Sequence, residues 1–471
     1  MQLPILTKIK LISSNFYAYK RQNGILNAIK KTIGFSDALV YSLAGKTWSS
    51  LSGLVTIVFI TTYFTAEVQG YYYLFNSLLI FNSLLDVGFG VVLVQFASHE
   101  WAHLGFGENN SIIGRPEAMM RLASLVRLAQ KWYIAVAAVF FILVGFGGYF
   151  YIKHSSNTEV NFTAPWFLLV AAVSVSILIA PYKYLLDGTN QIKLSQKILF
   201  FSYFAGTIGT WFSIYFHLGL YTNVISISLV LIVTVLMLYK RAAPFIVLTK
   251  LKGTNDKLFW KCEFWGQQWR IGLSWFCGFL MYQIFVPVLF YFQGSVVAGK
   301  MGATMQIYSA LTTIGFAWAN VEAPKLGMLG ALKKYSEIKA IVNRISIISM
   351  SACFVIGIML LAGMQALKFF KFGIVDRFAD IYVVAAMVLA AIIAQRINIE
   401  TMAIRYQKIE PFLTSGIVSS LITFLLIILL AKYYSIYGVI VGFYIGVVFI
   451  SFVWSHIIYK KNILLLINKA T

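Results

Sequence analysis

The sequence predicts an all-α, polytopic membrane protein with about twelve transmembrane helices. Of its 471 residues, 60% are hydrophobic and 11% are charged, whereas about a quarter of the residues in a soluble globular protein are charged. Apolar stretches of roughly 20 residues, the length that a helix needs to cross the hydrocarbon core of a bilayer, recur along the whole chain. The basic residues lie mainly in alternate connections between these stretches.

Six predicted spans precede residue 240, and six follow it. The spans of the first half cover about 39–63, 70–97, 130–152, 163–187, 195–217 and 221–239. The spans of the second half cover about 269–292, 297–324, 344–366, 379–404, 412–432 and 436–459.

The distribution of Lys and Arg predicts the orientation of the chain. Of the 38 basic residues, 29 lie in the inner connections or at the inner ends of the spans, and five lie in the outer loops. Basic residues beside apolar spans mark the cytoplasmic side of a membrane. We therefore expect a multi-pass protein of the inner-membrane type with both termini in the cytoplasm. The same rule accounts for the net charge of +22, so nucleic acid is not an expected partner.

A basic connection over residues 241–268 divides the chain into two halves. We expect a cytoplasmic segment over 1–38, an N-terminal lobe over 39–240, a C-terminal lobe over 269–461 and a cytoplasmic tail over 462–471. The halves share a layout in which Gly70 and Gly299, 229 positions apart, occupy corresponding positions. Because each half has an even number of spans, the two repeats would be parallel and related by an axis along the membrane normal.

The N-terminal segment has the pattern of an interfacial helix. Apolar residues between Ile5 and Ile33 recur at helical spacing among lysines and arginines. This arrangement suits a helix that lies on an anionic cytoplasmic leaflet. A solvated basic tail is the alternative.

Ionisable residues inside the spans are few, and each is costly at membrane depth unless it meets a partner or a wet cavity. Lys46 and Asp86 lie in the first and second spans. They would either pair with each other or leave Lys46 to meet an anion in a cavity. Arg396 and Glu400 are one turn apart in the tenth span, and the alternatives are a local ion pair or a cavity role for the arginine.

Two further charged residues lie at the ends of spans. Arg270 opens the seventh span, where extension of its side chain to the interface is the common explanation. Glu322 precedes Pro324 at the inner end of the eighth span, where it is placed to form an ion pair with Lys325.

Two prolines lie inside predicted spans, Pro181 in the fourth and Pro287 in the seventh. A proline lacks the N–H of a helical hydrogen bond, and its ring clashes with the preceding turn. We therefore treat both positions as candidate hinges. Membrane helices also tolerate proline generally, so the alternative is a proline with no hinge function.

The seventh span carries an unusual load of aromatic residues: Trp275, Phe276, Phe279, Tyr282 and Phe285. Facing inward, these rings could stack on sugars. Facing outward, they would meet lipid, which is the default expectation.

Several short motifs resemble those of a known transporter family. Gln69-Gly-Tyr-Tyr-Tyr, Asp86-Val-Gly-Phe-Gly and Gln95-Phe-Ala-Ser lie in the second span, and Leu186-Asp-Gly-Thr-Asn-Gln follows the fourth. Together with the six-plus-six layout, they resemble the O-antigen and polysaccharide flippases of the multidrug/oligosaccharidyl-lipid/polysaccharide (MOP) superfamily. The resemblance implies a MATE-like fold of two six-helix lobes around a central cavity.

The resemblance also implies a cargo and a mechanism. The cargo would be an O-antigen or related repeat unit on undecaprenyl diphosphate, moved from the cytoplasmic to the periplasmic leaflet by alternating access. Membrane lipids, a polysaccharide polymerase and chain-length machinery would be its partners.

Candidate site residues follow from this expectation. Lys46, Arg270 and Arg396 are the candidates for holding the diphosphate, because cationic groups bind phosphate by charge-assisted hydrogen bonds. The acidic residues Asp86, Glu322 and Glu400 are candidates either for coupling to a proton or sodium gradient or for structural ion pairs. No catalytic or metal-binding residue is expected.

Two other functions compete with this interpretation. The drug and cation exporters of the same superfamily rely on carboxylates in a lobe cavity, for which Asp86 is the main candidate here. A membrane glycosyltransferase or polymerase would need an acid, base or metal site on a sizeable loop, and the nearest such group is His99, Glu100 and His103. The three cysteines have no metal-ligand or redox spacing, so we expect no disulfide and no metal. No cofactor is expected either.

Overall fold

The computed structural model describes residues 37–108, 111–155, 160–250, 265–405 and 411–470. The predicted interfacial helix of residues 5–33, Cys262 and half of the connection over 241–268 lie outside these ranges. The described chain is nearly all helical, as the sequence predicts.

The helices of the first half follow the predicted spans closely. Their bounds are α1 (Asp37–Tyr63), α2 (Ala66–Leu79), α3 (Phe81–Asp86), α4 (Phe89–Trp101), α5 (Pro116–Val139), α6 (Gly147–Ser155), α7 (Thr163–Gly188), α8 (Ile192–Tyr215) and α9 (Tyr221–Leu248). A π-helical turn over Phe140–Phe146 joins α5 to α6 in one 40-residue helix.

The second half is built in the same way. Its helices are α10 (Trp265–Tyr282), α11 (Phe285–Gln293), α12 (Ser295–Ala331), α13 (Tyr335–Phe369), α14 (Ile381–Arg405), α15 (Leu413–Phe443) and α16 (Val453–Ala470), with a 3₁₀ turn over Gly373–Arg377. A π-helical segment over Tyr444–Phe452 links α15 to α16.

Each predicted span has a helical counterpart. In the described ranges, eight helices are long and apolar enough to cross a membrane, and two bent helix pairs raise this number to ten. One of the eight helices is the stretch Leu413–Asn468. The non-helical backbone of Ser435 (φ 52°, ψ −135°) divides this stretch into two segments. The 37 residues of α12 extend about 55 Å, which also suffices to cross a bilayer.

A β-hairpin was not predicted from the sequence. In the connection after α4, strands β1 (Leu104–Phe106) and β2 (Ile112–Gly114) form an antiparallel hairpin. It lies at the predicted cytoplasmic end of the N-terminal half.

The second span is broken, whereas the sequence interpretation treats 70–97 as continuous. The helices on either side of Val87 and Gly88 meet at 44°, and both residues have left-handed backbones, with φ 50° and 74°. Such a conformation costs a β-branched residue about 1–3 kcal/mol. A Cβ on Gly272 of α10 would collide with Val87, so the break lies where the seventh span packs closely.

The seventh span is also bent by 44°, between α10 and α11. Pro287 is the third residue of α11, where its missing N–H leaves the carbonyl of Gln283 without a helical donor. By contrast, α7 runs through Pro181 as one helix from Thr163 to Gly188. Of the two candidate hinges, only Pro287 lies beside a bend of this size.

The two halves meet where α2 crosses α12. Gly70 and Gly299 pack against each other there, and a Cβ on Gly70 would collide with the backbone of Ser295. The side-chain amide of Gln69 donates hydrogen bonds to the carbonyls of Gly299 and Arg377, both at 3.0 Å. Glycines allow helix backbones to approach this closely. The contact closes the predicted outer end of the space between the halves.

This crossing predicts a conformational phenotype for Gly70→Ala. The added methyl group cannot fit against Ser295, so the predicted outer end should open. In a chain with all three cysteines replaced by alanine and Ser77→Cys added, labelling by an impermeant maleimide from the outer side should rise several-fold.

Gly363→Ala is the matched control, because nothing lies within 4 Å of a Cβ at that position. Gel filtration and thermal denaturation of each variant would establish that it is folded. Equal labelling of folded Gly70→Ala and Gly363→Ala would contradict a closed crossing.

Candidate functional site: a neutral cavity between the two halves

A cavity of about 640 Å³ lies directly below the α2–α12 crossing, and we call it the outer chamber. Its wall is formed by α2, the bend between α10 and α11, α12 and one residue of α14. The lining residues are aromatic, aliphatic or neutral polar: Tyr72, Tyr73, Asn76, Ser77, Ile80, Tyr282, Gln283, Phe285, Val286, Gly302, Met305, Gln306, Tyr308, Ser309, Thr312 and Asn398.

A second cavity of about 520 Å³ continues from the first toward the predicted cytoplasmic side, and we call it the inner chamber. Ile80, Tyr282, Gln283 and Asn398 line both chambers. The inner chamber adds serines from α10, α15 and α16, Trp275, and the guanidinium of Arg405 at the end of α14. Among the described lining residues, Arg405 is the charged one.

A third space of about 560 Å³ opens between α1 and α12, and we call it the side portal. Lys46 of α1 lines it, facing Asn320 and the Thr312–Thr313 pair of α12. Thr312 and Asn398 belong to the walls of both the portal and the outer chamber, so the two spaces are contiguous. Exposed Leu51 and Trp318 give the portal an apolar border.

The roof of the outer chamber is a short polar network. The hydroxyl of Tyr73 donates to Oε1 of Gln306 at 2.9 Å, and Nε2 of Gln306 donates to the carbonyl of Gly53 at 3.1 Å. This chain of bonds ties α2, α12 and α1 together above the cavity.

One wall of the outer chamber is a fixed aromatic surface. The rings of Tyr282 and Tyr308 are nearly parallel, at 18°, with centroids 6.4 Å apart. Phe443 packs edge-on against both rings at 6.1 Å and is 1% exposed. Of the five aromatic residues that the sequence singles out in the seventh span, four line a chamber: Trp275, Phe279, Tyr282 and Phe285. The default expectation that these rings meet lipid is therefore wrong for all but Phe276, which lies outside both linings.

Of the predicted cationic site residues, Lys46 lies on a cavity wall and the other two do not. Arg270 is exposed near the start of α10, with its guanidinium 5.6 Å from the centroid of the Trp269 ring, outside the linings of the two chambers and the portal. Arg396 forms the local ion pair, since its Nε donates to Glu400.

Glu400 is the centre of a polar cluster inside the C-terminal half. Its carboxylate is 0% exposed and lies 2.9 Å from Nδ1 of His456 through both oxygens. The guanidinium of Arg396 also donates to the amide oxygen of Asn343 at 3.0 Å. The cluster joins α13, α14 and α16, and the sequence interpretation missed two of its four members, Asn343 and His456.

Asp86 does not pair with Lys46, which settles one of the alternatives raised by the sequence. Its carboxylate is 5% exposed and accepts hydrogen bonds from the hydroxyl of Tyr133 and, at 3.2 Å, from the backbone N–H of Gly90. The latter is one of the free N–H groups at the start of α4, where a negative charge is favourable. Asp86 thus stabilises the second half of the broken span.

The remaining acidic candidates lie in ion pairs at the predicted cytoplasmic side. Glu322 accepts a hydrogen bond from Arg344 at 2.8 Å and lies 4.0 Å from Lys325. Glu100, from the group that a loop enzyme would require, pairs with Arg121 at 3.0 Å, while His99 is 80% exposed.

Several lining residues were not predicted from the sequence. No local sequence motif marks Tyr308, Gln283 or Asn398. Arg405 is one of many basic residues at the inner ends of the spans. A helical projection of α14, on which Asn398, Thr401 and Arg405 share a face opposite Glu400, is the signal that could have found two of them.

Comparison with known proteins identifies the fold. No protein family and no curated protein sequence matches the chain, but solved structures do. The lipid II flippase MurJ, in an inward closed conformation, is similar at a TM-score of 0.62 and 14% identity, over 91% of this chain and 90% of that one.

Two MATE structures are also similar to this chain. The MATE multidrug transporter DinF-BH gives a TM-score of 0.55 at 13% identity, over 90% of this chain and 94% of that one. A MATE structure in the bent conformation gives 0.54 at 11% identity, over 92% and 95%. The chain therefore has the polytopic fold of the MOP transporters, as the sequence predicts.

The contacts of Asp86 predict its energetic role. Asp86→Leu leaves the Tyr133 hydroxyl and the Gly90 N–H without an acceptor, which should lower the free energy of unfolding by about 1–3 kcal/mol. Asp86→Asn keeps an acceptor and should cost less. Chemical denaturation in detergent would measure both values.

The same measurement tests the rejected ion pair. The effects of Asp86→Leu and Lys46→Ala should add to within about 0.5 kcal/mol in the double variant. Rescue of Asp86→Leu by Lys46→Ala would mean that the two residues interact after all.

The cluster around Glu400 predicts a stability effect for Arg396. Arg396→Met leaves a buried carboxylate with one partner fewer, and we expect a loss on the order of 3 kcal/mol. Adding Glu400→Leu should recover much of it, because the uncompensated charge is gone. Thermal denaturation in detergent is the measurement, with the exposed Arg270→Met as the matched control. An Arg396→Met variant of unchanged stability that fails to transport would instead make Arg396 a substrate residue.

Proposed function

We propose that the protein is a flippase for a lipid-linked oligosaccharide, an undecaprenyl diphosphate-linked O-antigen or related repeat unit, and that it acts by alternating access in the cytoplasmic membrane. One observation carries the proposal. The cavity between the two halves is aromatic and neutral polar, no carboxylate is among its described lining residues, and the cationic Arg405 and Lys46 line the spaces that lead into it.

This distribution suits the chemistry of the cargo. A diphosphate sugar headgroup cannot enter hydrocarbon unaided, whereas its isoprenoid tail is soluble there. The protein needs to shelter only the head. The two chambers provide a polar space at membrane depth, and the side portal between α1 and α12 offers the tail an apolar border next to that space.

The diphosphate would bind on the inner side of the cavity. Lys46 in the portal and Arg405 in the inner chamber are exposed cationic groups, and both residue types bind phosphate through charge-assisted hydrogen bonds. Arg270 and Arg396, which the sequence offers as further candidates, contribute less to this proposal because neither lines a chamber.

The runner-up is a cation-coupled drug antiporter, which the fold accommodates equally well. An organic cation in a low-dielectric cavity needs a carboxylate partner. Asp86 and Glu400 are buried and engaged within the lobes, and Glu322 pairs with Arg344. The described lining thus favours an anionic lipid-linked cargo.

Movement of the cargo would follow from rocking of the two halves about the α2–α12 crossing. We propose that the cycle is coupled to a proton or sodium gradient through one of the acidic candidates Asp86, Glu322 and Glu400. A polysaccharide polymerase and chain-length machinery would take the product on the far side.

The proposal predicts that Lys46→Ala slows flipping by about tenfold or more, since one hydrogen bond to a charged group contributes about 1.5–3 kcal/mol. Lys46→Arg should retain activity. The assay is the protected fraction of a fluorescent undecaprenyl diphosphate disaccharide in proteoliposomes, and Arg270→Ala serves as the matched control for loss of one exposed charge.

The same vesicles should not export a fluorescent organic cation. Export of the cation without flipping of the lipid would replace the flippase by the antiporter. Equal flipping by wild type and Lys46→Ala would remove Lys46 from the site.

A further inference from the structure

The charges around the cavity are unevenly placed. None of the described residues that line the outer chamber is acidic, basic or a histidine. The bases that line the contiguous spaces, Arg405 and Lys46, belong to the inner chamber and the side portal. Resting on the proposed function, we infer that the outer chamber takes an uncharged glycan, whose sugars carry hydroxyl and acetamido groups but no carboxylate, sulfate or phosphate.

The polar groups that the outer chamber offers are of one chemical kind. The hydroxyls of Tyr282 and Tyr308 and the side-chain amides of Gln283 and Asn398 make no hydrogen bond to another described residue, and all four residues line the chamber. Hydroxyl and amide groups both donate and accept. They match the hydroxyl and acetamido groups of sugars, which do the same, and they bring no formal charge.

An acidic sugar would be poorly accommodated in the same place. The chamber is closed above by the Gly70–Gly299 contact and by the bond from Tyr73 to Gln306, so an anion there would lose hydration. A buried anion that gains no cationic partner binds unfavourably, because neutral dipoles replace its water only in part.

The aromatic wall completes the match to a sugar ring. Phe443 packs against both Tyr282 and Tyr308 and holds their nearly parallel rings in place. The faces of such rings stack on the apolar C–H faces of pyranoses, and ligand sites of this kind combine aromatic walls with a few polar groups. Gln283, at the break between α10 and α11, is adjacent in sequence to Tyr282 of this wall and lines both chambers.

The experiment compares two lipids in the same proteoliposomes of the full-length protein. One is undecaprenyl diphosphate with an N-acetylhexosamine–hexose disaccharide, and the other carries a hexuronic acid in place of the hexose. We expect wild type to flip the neutral lipid at least tenfold faster. Gln283→Lys supplies a cation to the chamber and should shift the ratio of the two rates toward the acidic lipid by tenfold or more.

Two variants control for other effects of the substitution. Gln283→Met removes the amide without adding charge, and it should slow both lipids while leaving their ratio unchanged. Gln95→Lys adds a charge at an exposed position of α4, outside the chamber linings, and should change neither rate.

The outcomes separate the two proposals. Flipping of the acidic lipid by wild type at a rate equal to or above that of the neutral one would overturn the uncharged-glycan inference and leave the flippase function standing. A ratio that Gln283→Lys does not shift would also overturn the inference. Flipping of neither lipid by folded wild-type protein would overturn the proposed function, and this inference with it.

Discussion

The contact between Gly70 and Gly299 is the interaction on which the cavity depends. The two glycines occupy corresponding positions of the two predicted sequence repeats, and in the structure they pack against each other. Corresponding residues of parallel repeats can touch only near the axis that relates them. If the two repeats are related as predicted, the crossing of α2 and α12 marks that axis, and the outer chamber lies directly beneath it.

The same crossing explains how two similar halves produce an asymmetric cavity. Three residues after each glycine, one half has Tyr73 and the other has Gly302, and a Cβ on Gly302 would collide with the ring of Tyr73. The tyrosine fills the space that the glycine leaves. Its hydroxyl then reaches Gln306 on the opposite half, so a difference between the repeats supplies the polar roof.

The cost of burying charge decides the chemistry of the chambers. The carboxylate of Asp86 accepts hydrogen bonds from the start of α4 and from Tyr133, and that of Glu400 is held by Arg396 and His456. Both carboxylates are thereby held inside their own halves. The space between the halves is left to hydroxyl, amide and aromatic groups, with Lys46 and Arg405 on its borders. The engaged carboxylates of the lobes and the uncharged lining of the chamber are two results of one constraint.

The sequence by itself determined the class of the fold, and it predicted twelve spans and their division into two repeats. These features depend on local quantities: a length of apolar chain set by bilayer thickness, and the positions of bases next to it. It also offered the ion pair of Arg396 with Glu400, because residues one turn apart on a helix are neighbours in any fold. The orientation of the chain and the domain bounds remain predictions of this kind.

Only the tertiary structure decided which residues face the cavity. Whether Lys46 meets Asp86, whether Tyr282 meets lipid, and whether His456 reaches Glu400 all depend on the rotation of each helix about its axis. The break at Val87 and Gly88 likewise arises where α10 packs against it. A span that is apolar on nearly all faces gives little indication of its rotation, since lipid and protein interior are equally apolar. For that reason no sequence motif predicted the outer chamber, whose wall includes Tyr308, Gln283 and Asn398. The packing of the helices forms it.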